Sequence, residues 1–154
     1  MTQLREGRTE AVRPVPDEVE LPRPSRWPTI LRAVGALSVL VVGAVHLEQY
    51  FAEHFNVVPI IGPLFALNFV GATLIGLGLL VPGRRMRPLH LLLSLGGIGL
   101  AATAFVFLFV SEHQPLFGFQ DYGFRTEIVV ALAGEAAAVV TLTGYLVARV
   151  RRDA

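Results

Sequence analysis

Residues 30–55 read ILRAVGALSVLVVGAVHLEQYFAEHF, an apolar run that ends in two histidines and two glutamates. The run from Ala33 to Val45 carries no charge. Together with its flanks it exceeds the roughly 20 residues that cross a hydrocarbon core as a helix. The whole apolar run, about Trp27 to Tyr50, is longer than the usual apolar core of about 7–15 residues in a signal peptide, so it reads as a retained helix. The polar end, His46 to His54, is then the place where this helix leaves the membrane.

Three more runs of the same kind follow, and the four helices are expected at about 27–54, 59–81, 88–111 and 125–148. None shows the two-residue alternation of a membrane strand. Helices pair their backbone groups within one segment, which lipid demands. Pro28, Pro59, Pro63 and Pro88 fall in or near first turns, where a missing N–H costs little. Pro82-Gly83 stops the second run. The fold class that follows is all-α: a polytopic membrane protein built as an antiparallel bundle of four transmembrane helices. Composition agrees, with 53% hydrophobic residues and a mean hydropathy of +0.59.

Charge placement gives an orientation. All 13 basic residues are Arg, and there is no Lys. They gather in the arm before Trp27, in the turn PGRRMRP at 82–88 and in the tail 149–154. The other two connections hold only Arg125. Cytoplasmic loops collect Arg, so both termini are expected inside, in a bacterial cytoplasmic membrane. The arm 1–26 is rich in Pro, Glu and Arg and is expected to be disordered. Its acids offset much of its attraction for anionic lipid. With no Cys, disulfides and thiolate chemistry are excluded. With no basic stripe carrying interleaved aromatics, nucleic acid is not an expected partner. The expected partners are the bilayer and other membrane subunits or further copies of this chain.

Two groups of polar residues carry what chemistry there is. The first lies on the outer face. His46, Gln49, Tyr50, Glu53 and His54 fall on one helical stripe. The second outer connection adds Glu112, His113, Asp121 and Arg125. Such a cluster suits a cation or a proton relay. A metal site would need Glu53-His54 and Glu112-His113 to converge, because His46 and His54 are about 12 Å apart along one helix. Haem would need His46 and His113 at one level. Neither motif is spaced as a ligand set, so no cofactor is predicted. The bland reading is a wet interfacial loop with solvated side chains. Phe117, Phe119, Tyr122 and Phe124, with Gly118 and Gly123, read as an interfacial aromatic belt or as a lid.

The second group is intramembrane: His46, Asn68, Thr103, Glu127 and Glu135. Glu135 lies about 15 Å past Arg125, where an ionised carboxylate needs a partner, water or a proton. Asn68, Thr103 and His46 belong to the same outer half. Glu127 is about 80° around the helix from Glu135 and would extend a relay outward. Small residues at four-residue spacing, such as Gly97-Ala101 and Gly134-Ala138, mark faces on which helices approach closely. Two readings stay open. One is an interhelical clamp with Glu135 protonated; the other is a proton or cation relay.

The strings GAVHLEQY, VPIIGPLFALNFVGA and FGFQDYGFRTEIVVALAGEAAAVV resemble small four-helix integral membrane proteins of high-GC Gram-positive, actinobacterial-type bacteria. The resemblance covers about residues 30–148. It rests on His46-Leu47, on Pro59 to Asn68 and on Phe117 to Phe119 with Arg125. It implies the four-helix fold and singles out these residues, without implying an activity. The expected function is therefore a non-enzymatic membrane protein whose outer-half polar site serves an accessory, sensing or binding role. The alternatives are a proton- or cation-coupled transporter or channel subunit, and a redox subunit binding haem or a quinone.

Overall fold

A computed structural model describes residues 26–153 apart from 119, 121, 122 and 124; the side chains of Arg84 and Asp153 are also outside the description. The described chain is helical, with α1 at Trp27–Ala52, α2 at Ile61–Leu80, α3 at Arg87–His113 and α4 at Thr126–Asp153. Short 3-10 turns at Phe55–Val57 and Arg84–Met86 precede α2 and α3. All four long helices are long and apolar enough to cross a membrane. The arm expected to be disordered lies almost wholly outside the described residues.

The helix ends follow local chemistry. Pro28 and Pro88 occupy first turns, where no N–H is missed. α2 stops at Leu80 because Val81 precedes Pro82 and is extended, with φ −62° and ψ 122°. α1 ends two residues before the expected Glu53-His54. Glu53 caps it, and His54 turns left-handed at φ 57° to open the 3-10 turn. The polar stripe of α1 therefore breaks after Tyr50. α4 runs five residues past the expected 148 and takes Arg149, Arg151 and Arg152 into its last turns. Arg is a good helix former, and its charge complements the negative end of the helix dipole.

The helices touch in the order α1, α2, α3, α4 and back to α1. Gly43 faces Ala72 and Phe69, while Gly76 faces Leu40 and Ala36. Gly71 meets Leu100, and Gly78 meets Leu93. Gly35 meets Leu142, and Gly134 meets Val42. The centre is built of small side chains: Ala36, Ala72, Ala101 and Ala138 are fully buried beside Val39, Leu79 and Leu142. Such residues let backbones approach until dispersion contacts hold the helices, which is the main attraction available between helices in lipid. Ser38, Thr73, Ser94 and Thr141 return their hydroxyls to carbonyls four residues back, so these polar groups are satisfied within their own helices.

The outer surface is apolar. Leu37, Leu67, Leu74, Leu92, Val106 and Val140 are each more than half exposed. A patch that extensive is unfavourable in water and costs nothing against acyl chains. The ring is unevenly closed. α1 packs closely along both α2 and α4, whereas α2 and α3 make the loosest neighbouring contact.

Candidate functional site

The loose seam between α2 and α3 leads into a cavity of about 420 Å³. That falls within the range of about 300–1,000 Å³ found for small-molecule sites. Its polar lining comes from all four helices: His46 and Gln49 on α1, Asn68 on α2, Thr103 and Ser111 on α3, and Glu135 on α4. The apolar lining includes Leu64, Phe65, Leu67, Leu100, Phe107 and Ile128. At the back and at the end carrying the 53–60 and 114–125 connections, Gln49, Ile61, Ser111, Ile128 and Glu135 are buried. On the seam side, Leu67, Gly99, Thr103 and Phe107 are exposed. A side chain added at Gly99 would meet nothing within 4 Å. The mouth therefore faces sideways, onto the apolar surface.

Glu135 is the deepest titratable group of this site. Its side chain is 2% exposed, and its Oε2 is buried with no hydrogen-bond partner. It stands nine residues into α4, about 14 Å along the axis from Thr126. Gly134 beside it fits tightly against Val42, so α4 has little freedom to turn the carboxyl elsewhere. Asn68 supplies a second orphan, with Oδ1 also buried and without a partner. An unmet buried polar atom costs about 1–3 kcal/mol. Two in the lining of one cavity mark a place where something else completes the bonding.

His46 is fixed by its own helix. Its Nδ1 lies 2.9 Å from the Val42 carbonyl oxygen. A carbonyl only accepts, so Nδ1 carries hydrogen. The ring packs 4.9 Å from Phe65, which in turn lies 4.8 Å from Phe55. This stack ties the turn after α1 to the wall of the cavity. Thr103 stands exposed at the mouth.

Four of the five expected intramembrane residues, His46, Asn68, Thr103 and Glu135, thus line one cavity. Glu127 does not belong to its lining. The outer-face cluster is not gathered in the same way. Glu53 Oε2 lies 2.5 Å from Arg125 Nη1 and joins the end of α1 to the start of α4. Glu112 Oε2 accepts from the Gly123 N–H at 3.3 Å. His113 bonds back to the Phe109 carbonyl at 2.8 Å and borders a separate shallow groove with Phe105 and Val106. His54 is exposed, and Tyr50 sits edge-on to Phe51. Asp121 and Tyr122 lie outside the described residues. Among the described residues, no group of three or more His, Asp or Glu comes together that could hold a metal. His46 lines the cavity and His113 the groove, so the two do not face one another across one site.

One cluster escaped the sequence reading. At the arginine-rich end, Arg32 Nη1 donates to the Leu79 carbonyl and also lies 3.2 Å from the Val81 carbonyl oxygen and 3.0 Å from His90 Nε2. α2 has no basic residue in its last turn, so its final carbonyls are met from α1 instead. His90 Nε2 also lies 3.0 Å from the Val81 carbonyl oxygen, so its tautomer decides whether it accepts from Arg32 or donates to that carbonyl. Nothing in the sequence signals this pairing, which spans 58 residues.

No protein-family model matches the chain, and no curated protein or solved structure matches it.

Proposed function

We propose that this chain is a non-enzymatic, multi-pass protein of the bacterial cytoplasmic membrane that binds a small membrane-dissolved molecule. The site is the cavity between the helices, in the half of the bundle away from the arginines. With both termini inside, as the arginine distribution favours, that half is the outer one. The observation that carries this reading is the orphan Glu135 carboxyl oxygen, buried in a cavity that opens sideways onto the apolar surface.

Among the described residues, the lining offers hydrogen-bonding groups and apolar walls but no nucleophile hydrogen-bonded to a base and no clustered acids, which supports binding over catalysis. Carriage of protons or cations would use the same carboxyl. Glu127, the next acid along α4, is off the lining, so such a pathway would have His46 as its other titratable station.

The test is saturable binding of radiolabelled 1-dodecanol to the protein in phosphatidylcholine nanodiscs, compared with empty discs. Wild type is expected to show a saturable component that Thr103→Trp removes by filling the mouth. Partitioning identical to that of empty discs would count against the cavity as a ligand site.

A further inference from the structure

We infer that the ligand of this cavity is a free amphiphile with a primary ammonium head, held by Glu135 and Asn68 while its alkyl body lies along the α2–α3 seam. The inference rests on the reading of the cavity as a binding site. It adds the chemical class.

Among the described residues, the lining contains one carboxyl and no Arg or Lys. Its two unpartnered buried atoms are both oxygens, Glu135 Oε2 and Asn68 Oδ1. His46 has committed Nδ1–H to the Val42 carbonyl, which leaves Nε2 free of that bond and able to accept. The other polar groups are neutral, and the Ser111 hydroxyl is already donated to the Leu108 carbonyl. The described lining therefore presents two unmet acceptors and no fixed positive charge.

A carboxylate or phosphate head would bring more acceptors and more negative charge to such a wall, and is rejected. A neutral alcohol brings one donor and serves one oxygen. A primary ammonium brings three donors and the counter-charge that a buried carboxylate requires. Charge-assisted bonds of this kind are roughly twice as strong as neutral ones. Leu64, Leu67, Leu100 and Phe107 supply apolar walls toward the mouth for a hydrocarbon body.

Depth separates the two natural sources of an ammonium group. Glu135 lies about 14 Å along α4 from its start, whereas a phospholipid's amine stays at the headgroup level. The ligand is thus a free amphiphilic amine rather than an aminophospholipid.

The experiment compares dodecylamine, 1-dodecanol and dodecanoate on the full chain in phosphatidylcholine nanodiscs. Dodecylamine is expected to bind at least about tenfold tighter than dodecanol, as one charge-assisted bond implies, and dodecanoate to show no saturable binding. Glu135→Gln is expected to remove that tenfold preference of amine over alcohol. Glu135→Asp keeps the charge and is expected to keep the preference. Equal wild-type affinities for amine and alcohol, or an undiminished amine preference in Glu135→Gln, would overturn the ammonium assignment while leaving the cavity reading intact. Absence of saturable binding for both compounds, or indifference of both to Thr103→Trp, would remove the cavity reading itself. The wild-type comparison stands even if Glu135→Gln fails to fold. Adding phosphatidylethanolamine to the discs is expected to leave amine binding unchanged; its abolition would overturn the free-amphiphile source.

Discussion

Arg32 on α1 and His90 on α3 meet at 3.0 Å beneath the end of α2, where the same guanidinium also receives the Leu79 and Val81 carbonyls. One side chain therefore fastens three helices at the arginine-rich end. Replacing Arg32 by Ala leaves the Leu79 carbonyl without its charged donor, while the Val81 carbonyl keeps only His90 Nε2 at 3.0 Å. The expected loss is about 1.5–3 kcal/mol, the range for hydrogen bonds to a charged group. Thermal unfolding followed by circular dichroism in mild detergent measures it. Arg32→Lys keeps a charged donor and is expected to recover part of the loss, since all the Arg32 contacts come from its single Nη1. A melting curve for Arg32→Ala that overlays wild type would remove the clamp.

Two glycines make opposite predictions. A Cβ at Gly76 would lie 2.5 Å from Leu40 Cγ and 3.1 Å from the Ala36 carbonyl oxygen. A Cβ at Gly99 would have nothing within 4 Å. Gly76→Val is expected to force α1 and α2 apart and cost about 1–3 kcal/mol, as overpacking does. Gly99→Ala is expected to be neutral or slightly stabilising, because Ala favours the helix by up to about 1 kcal/mol. The same unfolding measurement compares them. Similar effects at both positions would contradict the loose α2–α3 seam.

Ile60 is held at φ 67° and ψ −51°, with the Ile61 N–H bonded to the Pro59 carbonyl in a tight three-residue turn. A β-branched residue at positive φ is strained. Its side chain is half exposed, so little burial is lost on truncation. Ile60→Gly is expected to stabilise the protein by up to about 1–3 kcal/mol, the usual cost of such a conformation, less the extra chain entropy of glycine. Denaturation by SDS titration gives the sign. A destabilised Ile60→Gly would show that the turn is unstrained.

Much of this fold was legible in the sequence, and for a physical reason. Apolar runs long enough to span a bilayer have few alternatives, and Pro82 and Pro88 punctuate the turn between α2 and α3. Glu135 stood out because a carboxyl among alanines and valines has no local partner. What sequence could not supply was helix rotation. Whether Thr103 faces the centre or the mouth, and whether Glu127 shares the wall of Glu135, depends on how each helix turns about its axis. Small-residue stripes on two faces of α3 leave that undecided. The outer-face histidines were misleading for a similar reason: His54 escapes the stripe only because the backbone turns left-handed there.

Orientation makes its own prediction. With the termini inside, a fluorescent protein fused after Ala154 is expected to fluoresce, and alkaline phosphatase inserted at 56–58 is expected to be active. Phosphatase activity from a carboxyl-terminal fusion would invert the map and place the cavity in the inner half.

The most direct measurement is chemical labelling of Glu135 from the lipid phase. Membranes containing the protein are treated with dicyclohexylcarbodiimide, a hydrophobic carboxyl reagent, and the modified residues are located by peptide mass spectrometry. Glu135 is expected to be the labelled carboxyl among the four helices. Thr103→Trp is expected to slow that labelling, and a water-soluble carbodiimide is expected to spare it. A Glu135 that the hydrophobic reagent leaves intact, in membranes where Glu53 or Glu112 is modified, would contradict a laterally open cavity.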